Sequence, residues 1–256
     1  LESDDETLHI RWNDKTNWIF GLSLFHKGES KNLVIEIPRA MELYKVKVDA
    51  ASAGISGTDL VANSISLKTA SGKITATNFI AKEVKLDAVS GGFQAEKILC
   101  EKAVLHTVSG DSTAKGITAD ELRADSVVGA IDLDGNLLAA DVSSILGNVT
   151  VHSGILPKKS AISTISGKLL LTLPENDGFV LEKTTVSGNF VSTTLPLETK
   201  GKETYYKDQK SKNTVKLSTT SGAMKLEKST AAEKPLTYGG WLQEQLAAKA
   251  PTENQE

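Results

Sequence analysis

The chain has 256 residues, with 29 basic against 32 acidic side chains and a formal net charge of −3, which argues against a nucleic-acid-binding domain built on a basic excess. Charged residues make up 24% and hydrophobic ones 39%, a globular mixture rather than a disordered one, in a length that fits one large domain or two small ones. Aromatics are scarce (6 Phe, 4 Tyr, 3 Trp), so the core must be built from Val, Ile, Leu and Ala, and the lone Cys100 excludes an intrachain disulfide.

Residues 1–50 read as irregular strands and a cap. Leu8-His9-Ile10-Arg11-Trp12 and Leu33-Val34-Ile35-Glu36-Ile37-Pro38 are strand-like, with Pro38 ending the second because proline cannot donate to a ladder. Between them Trp18–Phe25 (WIFGLSLF) is predicted as a buried strand or end cap. It is far short of the roughly 18 apolar residues a membrane span needs, and no other run reaches that length. The chain opens on Leu1 rather than Met, so the lack of a leader here does not bear on export.

From residue 51 to 228 the sequence repeats. Gly54, Gly72, Gly91, Gly110, Gly129, Gly147, Gly167 and Gly188 are spaced 18, 19, 19, 19, 18, 20 and 21 residues apart, and a further copy, Ser221-Gly222, follows after 34. Serine precedes the glycine in six of the nine copies; Ala53, Val128 and Leu146 are the exceptions. Apolar residues alternate on either side of the turn, as in Ile74/Ala76, Phe93/Ala95, Ile131/Leu133, Val149/Val151 and Leu169/Leu171 after it, and Val84/Leu86, Val104/Leu105 and Leu122/Ala124 before the next. A period of two means half-buried strands. A unit of about 19 residues is too short for a βαβ crossover, which takes roughly 30. Whole units that match one another fit stacked coils, each presenting the same side chain at the same place. The prediction is an all-β, right-handed parallel β-solenoid of nine to ten coils, roughly 45 Å long at the normal inter-strand spacing. Its two ends are exposed edges, open to homo-oligomerisation unless capped. In each turn glycine supplies a positive φ, and the serine before it is expected to hydrogen-bond the local backbone. The alternative is a hydroxyl ladder forming a ligand surface, which Val128 and Leu146 would interrupt.

The segment 196–213 (PLETKGKETYYKDQKSKN) is polar, with Lys200, Lys202, Lys207, Lys210 and Lys212 inside it and Lys216 just beyond. It is predicted as an exposed hairpin or loop, with a binding loop contacting through Tyr205 and Tyr206 as the alternative. The tail 229–256 changes character. Trp241–Ala250 is rich in helix formers, and Trp241, Leu242 and Leu246 would share a face able to cover the open end of the solenoid. Pro251 stops that helix.

No catalytic or cofactor constellation emerges. His9, His26, His106 and His152 lack metal-ligand spacing, and His106 and His152 read as solvated rung residues. Cys100, beside Ile98 and Leu99, reads as a core or surface residue rather than a nucleophile. There is no nucleophile elbow, P-loop or dinucleotide fingerprint. Asp132-Leu133-Asp134-Gly135-Asn136 resembles the start of a calcium loop but lacks the closing glutamate, and is expected to be a turn. Asn148-Val149-Thr150 matches the glycosylation sequon inside a predicted strand. Some β-solenoids cleave acidic polysaccharides with clustered Asp, Lys and Arg. Here Asp111, Asp120, Glu121, Asp125, Asp132, Asp134 and Asp141 are spread through successive coils, with Arg123 the one nearby arginine.

The repeated (T/A)-(V/I/A)-S-G-(D/K/N/G) turns, following the I-E-I-P of 35–38, resemble the bacterial adhesin-labelled domain family long catalogued as a domain of unknown function. The similarity covers about residues 5–228. It implies a right-handed β-solenoid of bacterial origin, without known catalytic residues and associated with the cell surface or envelope-stress responses; no site residue is carried over. The sequence reading is therefore a non-enzymatic, cell-surface or envelope-associated binding platform whose partners are cell-wall or host-surface glycans or proteins. The alternatives are an intracellular self-assembling scaffold and a polysaccharide-acting β-helix enzyme.

Overall fold

The computed structural model describes residues 2–3, 8–9, 33–38, 41, 43–229 and 238–240. The chain divides into two units, Leu1–Met41 and Glu42–Glu256. In the first, β1 (Glu2–Ser3) and β2 (Leu8–His9) pair antiparallel. Residues 33–38 are not the strand predicted for them. Pro38, which has no N–H, instead uses its carbonyl to accept the Met41 N–H at 3.0 Å and close a turn. WIFGLSLF and His26 lie outside the described residues.

The second unit is a stack of parallel strands. It begins with β3 (Leu43–Ala50) and continues through four strands of 17 residues, β4 (Ile55–Ser71), β5 (Ile74–Ser90), β6 (Phe93–Ser109) and β7 (Ser112–Val128). Each pairs in register with its neighbour, so Ile55, Ile74, Phe93 and Ser112 form one column. Then come β8 (Ile131–Leu137), β9 (Ala139–Leu146), β10 (Val149–Ser153), β11 (Lys159–Ser166) and β12 (Leu169–Leu173). The rest are β13 (Phe179–Ser187), β14 (Phe190–Ser192), β15 (Glu198–Lys200), β16 (Glu203–Tyr206), β17 (Thr214–Ser221) and β18 (Met224–Lys228).

The long strands wrap around the core by bending. In β5 the buried residues are Ile74 and Ala76, then Phe79 and Ala81, then Val84, Leu86 and Ala88, which gives each coil three sides. The corner between sides one and two is left-handed backbone: Asp59, Asn78, Lys97 and Gly116, again 19 residues apart, have φ of 54°, 57°, 55° and 63°. Asp, Asn and Gly tolerate that region best, and the Asn78 amide donates to Asp59 Oδ1 at 2.6 Å across the corner. In β6 the alternation puts Ala103 and Leu105 inside and leaves Val104 half-exposed, correcting the expected Val104/Leu105 pair. Residues directly adjacent in a strand cannot share a face. Phe93 sits next to the buried Ser112 in its column, a large residue beside a small one, as close packing requires.

At the closing turn the glycines stack on one another. A Cβ on Gly129 (φ +141°) would stand 2.2 Å from the Gly110 carbonyl oxygen. Gly147 has no left-handed φ, yet a Cβ there would stand 2.0 Å from the Gly129 carbonyl oxygen. Close approach of successive coils, more than backbone conformation, therefore fixes the glycine period. The hydroxyls that bond the turn backbone belong to buried residues two positions before the expected serines: Thr69 donates to the Ala53 carbonyl at 2.8 Å and Thr164 to the Gly147 carbonyl at 3.0 Å. The serines themselves, such as Ser71, Ser90 and Ser109, face solvent.

The stack makes about seven turns rather than nine to ten. β3 at one end and β13–β14 at the other are partial layers, and the segments 174–178 and 193–213 leave the regular coil. The final layers are also out of sequence order. β17 lies between β11 and β13, and β18 between β12 and β14, so the C-terminal coil is inserted beneath the one that precedes it in the chain. The segment 196–213 is the predicted hairpin: β15 and β16 pair antiparallel, and β16 continues onto the start of β13.

Candidate functional site

Side one of the coils carries the most uniform outward face. Ser56/Thr58, Thr75/Thr77, Gln94/Glu96, Thr113/Lys115, Asp132/Asp134 and Thr150/His152 stand in register on β4, β5, β6, β7, β8 and β10. The first of each pair follows an inward residue of the strand, as Thr75 lies between Ile74 and Ala76, because side chains alternate along a strand. Every outward position over six rungs can therefore donate or accept a hydrogen bond. Of these side chains Gln94 alone is engaged among the described residues, taking a bond from Lys73 Nζ at 2.9 Å. The backbone beneath is held by coil-to-coil pairing, so the rungs sit about 4.8 Å apart on a rigid base.

The acidic residues do not gather. Asp111 Oδ1 accepts the Ala130 backbone N–H at 2.9 Å, and Asn148 Oδ1 accepts the Lys168 N–H at 2.9 Å. The Asp or Asn after the turn glycine thus fastens one coil to the next. Asp125 is bound by Arg123 Nε at 2.7 Å and Ser143 Oγ at 2.7 Å. The Asp120 carboxyl is held above the usual carboxylate range by burial first, with the Tyr238 backbone N–H pulling the other way and Glu101 pushing it up. Asp132 and Asp134 lie on strand β8, not in the turn expected for them, because their alternation with Ile131 and Leu133 suits a strand with one inward face. Gly135 sits where the register with β7 shifts. Asn148 is exposed just ahead of β10 rather than inside it. Among the described residues no group of three or more His, Cys, Asp or Glu is placed to hold a metal ion.

Two surface recesses lie away from this face, on the other sides of the coils. One of about 450 Å³ is lined by Lys47, Asp49, Ser66, Lys68 and Lys85 near β3, and one of about 190 Å³ by Asn63, Lys82, Glu83, Glu101 and Lys102. Neither collects the dispersed aspartates. Cys100 is fully buried, and burial pushes its thiol up to about 12. His106 and His152 are outward and half-buried.

The hairpin does not offer both tyrosines. Tyr206 is buried against Phe179 (ring centroids 5.6 Å apart) and donates its hydroxyl to Glu175 at 2.7 Å, while Tyr205 bonds Glu198 at 2.9 Å. The serine ladder Ser71, Ser90, Ser109, Ser166, Ser221 and Ser187 is a real exposed column, interrupted at Val128 and Leu146. Sequence reasoning missed the unbroken polar column on side one. Its signal was present as the polar residues one and three places before Asn78 and before its counterparts at 19-residue spacing. The predicted helix Trp241–Ala250 lies outside the described residues. The helical residues 238–240 beside it meet Asp120 on a side of the stack, not an end.

No helix among the described residues is long and apolar enough to cross a membrane. Comparison with protein-family models matches residues 1–227 to the family described as Toastrack DUF4097. No curated protein and no solved structure matches the chain.

Proposed function

The chain belongs to the Toastrack DUF4097 family, a β-solenoid domain of unknown function, and from that premise we propose that it is a non-enzymatic binding platform of the cell surface or envelope. The observation that carries this reading is the side-one face, Ser56 to His152, whose hydrogen-bonding groups are repeated at fixed spacing and left largely unengaged. A rigid array of this kind favours an extended, polyhydroxylated or peptide partner, because each rung adds a contact without a backbone-ordering cost on the protein side. The partner class is a cell-wall or host-surface glycan or protein. Lys183, at the core position of the terminal layer, weighs against the scaffold reading at that end, since a charge there opposes end-to-end stacking.

The test is retention of the purified chain on isolated cell-wall material and on host-surface glycans, combined with protease accessibility on intact cells. Retention lost on Thr75→Glu with Thr113→Glu, together with cleavage on intact cells, supports the reading. No retention on any surface and cleavage only after lysis would overturn it, as would turnover of a polysaccharide by the purified protein.

A further inference from the structure

Exposed aliphatic side chains run along the closing turn of the stack. The residue before the turn serine points outward at the end of side three. In stacking order this row reads Ala70, Val89, Val108, Val127, Ile145, Ile165, Thr220, Val186. Beside it the serine column reads Ser71, Ser90, Ser109, Val128, Leu146, Ser166, Ser221, Ser187. Val89, Val108, Val128, Ile145, Leu146 and Ile165 are 37–51% exposed. The coil does not require them: Thr220 fills the first row in β17, and serine fills the second in six layers.

The strip reads alike in both directions from one point, midway between the Val127 and Ile145 layers. Val127–Val128 answers Ile145–Leu146, Val108–Ser109 answers Ile165–Ser166, and Ser90 and Ser71 answer Ser221 and Ser187. It is widest at the centre, where both columns are apolar, and edged by hydroxyls towards both ends. Such a surface fits a second copy of itself about a two-fold axis. Charge agrees with this. Asp111 follows the turn glycine of the Val108 layer and Lys168 that of the Ile165 layer, and both are exposed. An antiparallel copy therefore sets each Asp111 opposite a Lys168. Along the other border Asp87, His106 and Asp125 come opposite Ser218, Ser163 and Ser143, so no like charges meet there. The exposed fractions leave roughly 450 Å² of aliphatic surface in water, the scale of a functional patch. Two such strips with their serine borders reach the about 1,000 Å² that a specific interface needs. We propose that two copies of the chain pair side by side and antiparallel across this strip, with Val127–Val128 against Ile145–Leu146 at the two-fold axis. The serine ladder is broken at Val128 and Leu146 because those positions are the centre of the contact. The pairing is lateral and uses neither end of the solenoid.

Sedimentation velocity of the full chain over a range of concentrations tests this. The expected result is a dimer whose Kd rises by on the order of a hundredfold or more in Leu146→Lys, which sets two charges at the axis. Leu146 points outward, so the urea midpoint of that variant's monomer should stay unchanged. Lys168→Asp should weaken the dimer by about tenfold at low salt and less at high salt. Adding Asp111→Lys should restore the affinity. Adding Asp111→Asn instead should restore part of it, and it keeps an oxygen for the Ala130 N–H, as Asn148 does for Lys168. A chain still monomeric at about 100 μM, a dimer that Leu146→Lys leaves intact, or no recovery from either second substitution overturns the proposal. So does a monomer that binds phosphatidylglycerol vesicles and loses that binding in Leu146→Lys, which would give the strip to a membrane.

Discussion

Lys183 of β13 pairs in register with Leu217 of β17, and so closes with a charge a column that runs Val48, Leu67, Leu86, Leu105, Ala124, Val142, Ile162, Leu217. This explains why the last coils are out of sequence order. Were β13 to stack directly on β11, its lysine would sit between aliphatic layers, a burial that an unpaired charge cannot sustain. β17 offers Val215, Leu217 and Thr219 at the inward positions, all buried, and takes the interior place. Lys183 then lies over the Phe190 ring at 4.7 Å and shields the end of the core. Leu217→Lys should therefore cost at least about 3 kcal/mol of stability. Lys183→Leu should leave the monomer nearly as stable but expose an apolar end and promote association. Urea titration and sedimentation velocity of the two variants check both halves.

The glycine stack makes a second prediction, because two glycines with left-handed φ differ in what surrounds them. At Gly201 (φ +65°) an added methyl would have nothing within 4 Å, whereas at Gly129 (φ +141°) it would meet the Gly110 carbonyl oxygen at 2.2 Å. Gly201→Ala should cost about 1 kcal/mol, the conformational penalty alone. Gly129→Ala adds a backbone clash that the parallel pairing on both sides prevents from relaxing, and should cost about 3 kcal/mol or more. Equal denaturation midpoints for the two would refute the close-approach account of the repeat.

The repeat was legible because one constraint recurs from coil to coil: from Gly91 to Gly167 each turn glycine packs against the backbone of the turn glycine before it. The side-two corner was not read, although Asp59, Asn78, Lys97 and Gly116 keep the same spacing, because several residue types tolerate a left-handed φ there. The order of Gly188 and Gly222 was not legible either. Nearest-neighbour reasoning assumes that chain order is stacking order, and the hairpin β15–β16 lets the chain return beneath β13. The side-one face escaped notice because its rungs share hydrogen-bonding capacity rather than identity, running Ser56, Thr75, Gln94, Thr113, Asp132, Thr150.

Cys100 gives a pH prediction. Its thiol is pushed up to about 12 by burial first and by the negative charge of Asp120 second, from an ordinary value of 9.0. A raised pKa means that above pH 9 the unfolded chain gives up a proton that the folded chain keeps, so stability falls as pH rises from about 9 towards 12. At neutral pH the buried thiol should resist aromatic disulfide reagents until the protein is unfolded. Cys100→Ala should remove this part of the alkaline loss. Rapid labelling of the folded protein at pH 8 would contradict it.

Glu175 gives the opposite sign. It follows β12 and accepts bonds from Lys207 Nζ, Lys228 Nζ and, at 2.7 Å, the Tyr206 hydroxyl. One carboxylate thus joins the loop before β13, the loop after the hairpin and the end of the inserted coil. These bonds, Lys207 foremost, hold it well below its ordinary 4.5, at about 2. Its stabilising contribution is present above about pH 4.5 and is lost as pH falls towards 2. The group is exposed, so the effect on global stability is small and the local effect is the one to measure. Glu175→Gln at pH 7 should loosen 201–213 and the end of β18 much as acid does in the natural protein. Hydrogen exchange of those segments, compared at pH 7 and pH 3, should show the variant unprotected at both and the natural chain losing protection between them. Equal protection in the variant and the natural chain at pH 7 would show that the inserted coil is held by its strand pairing alone.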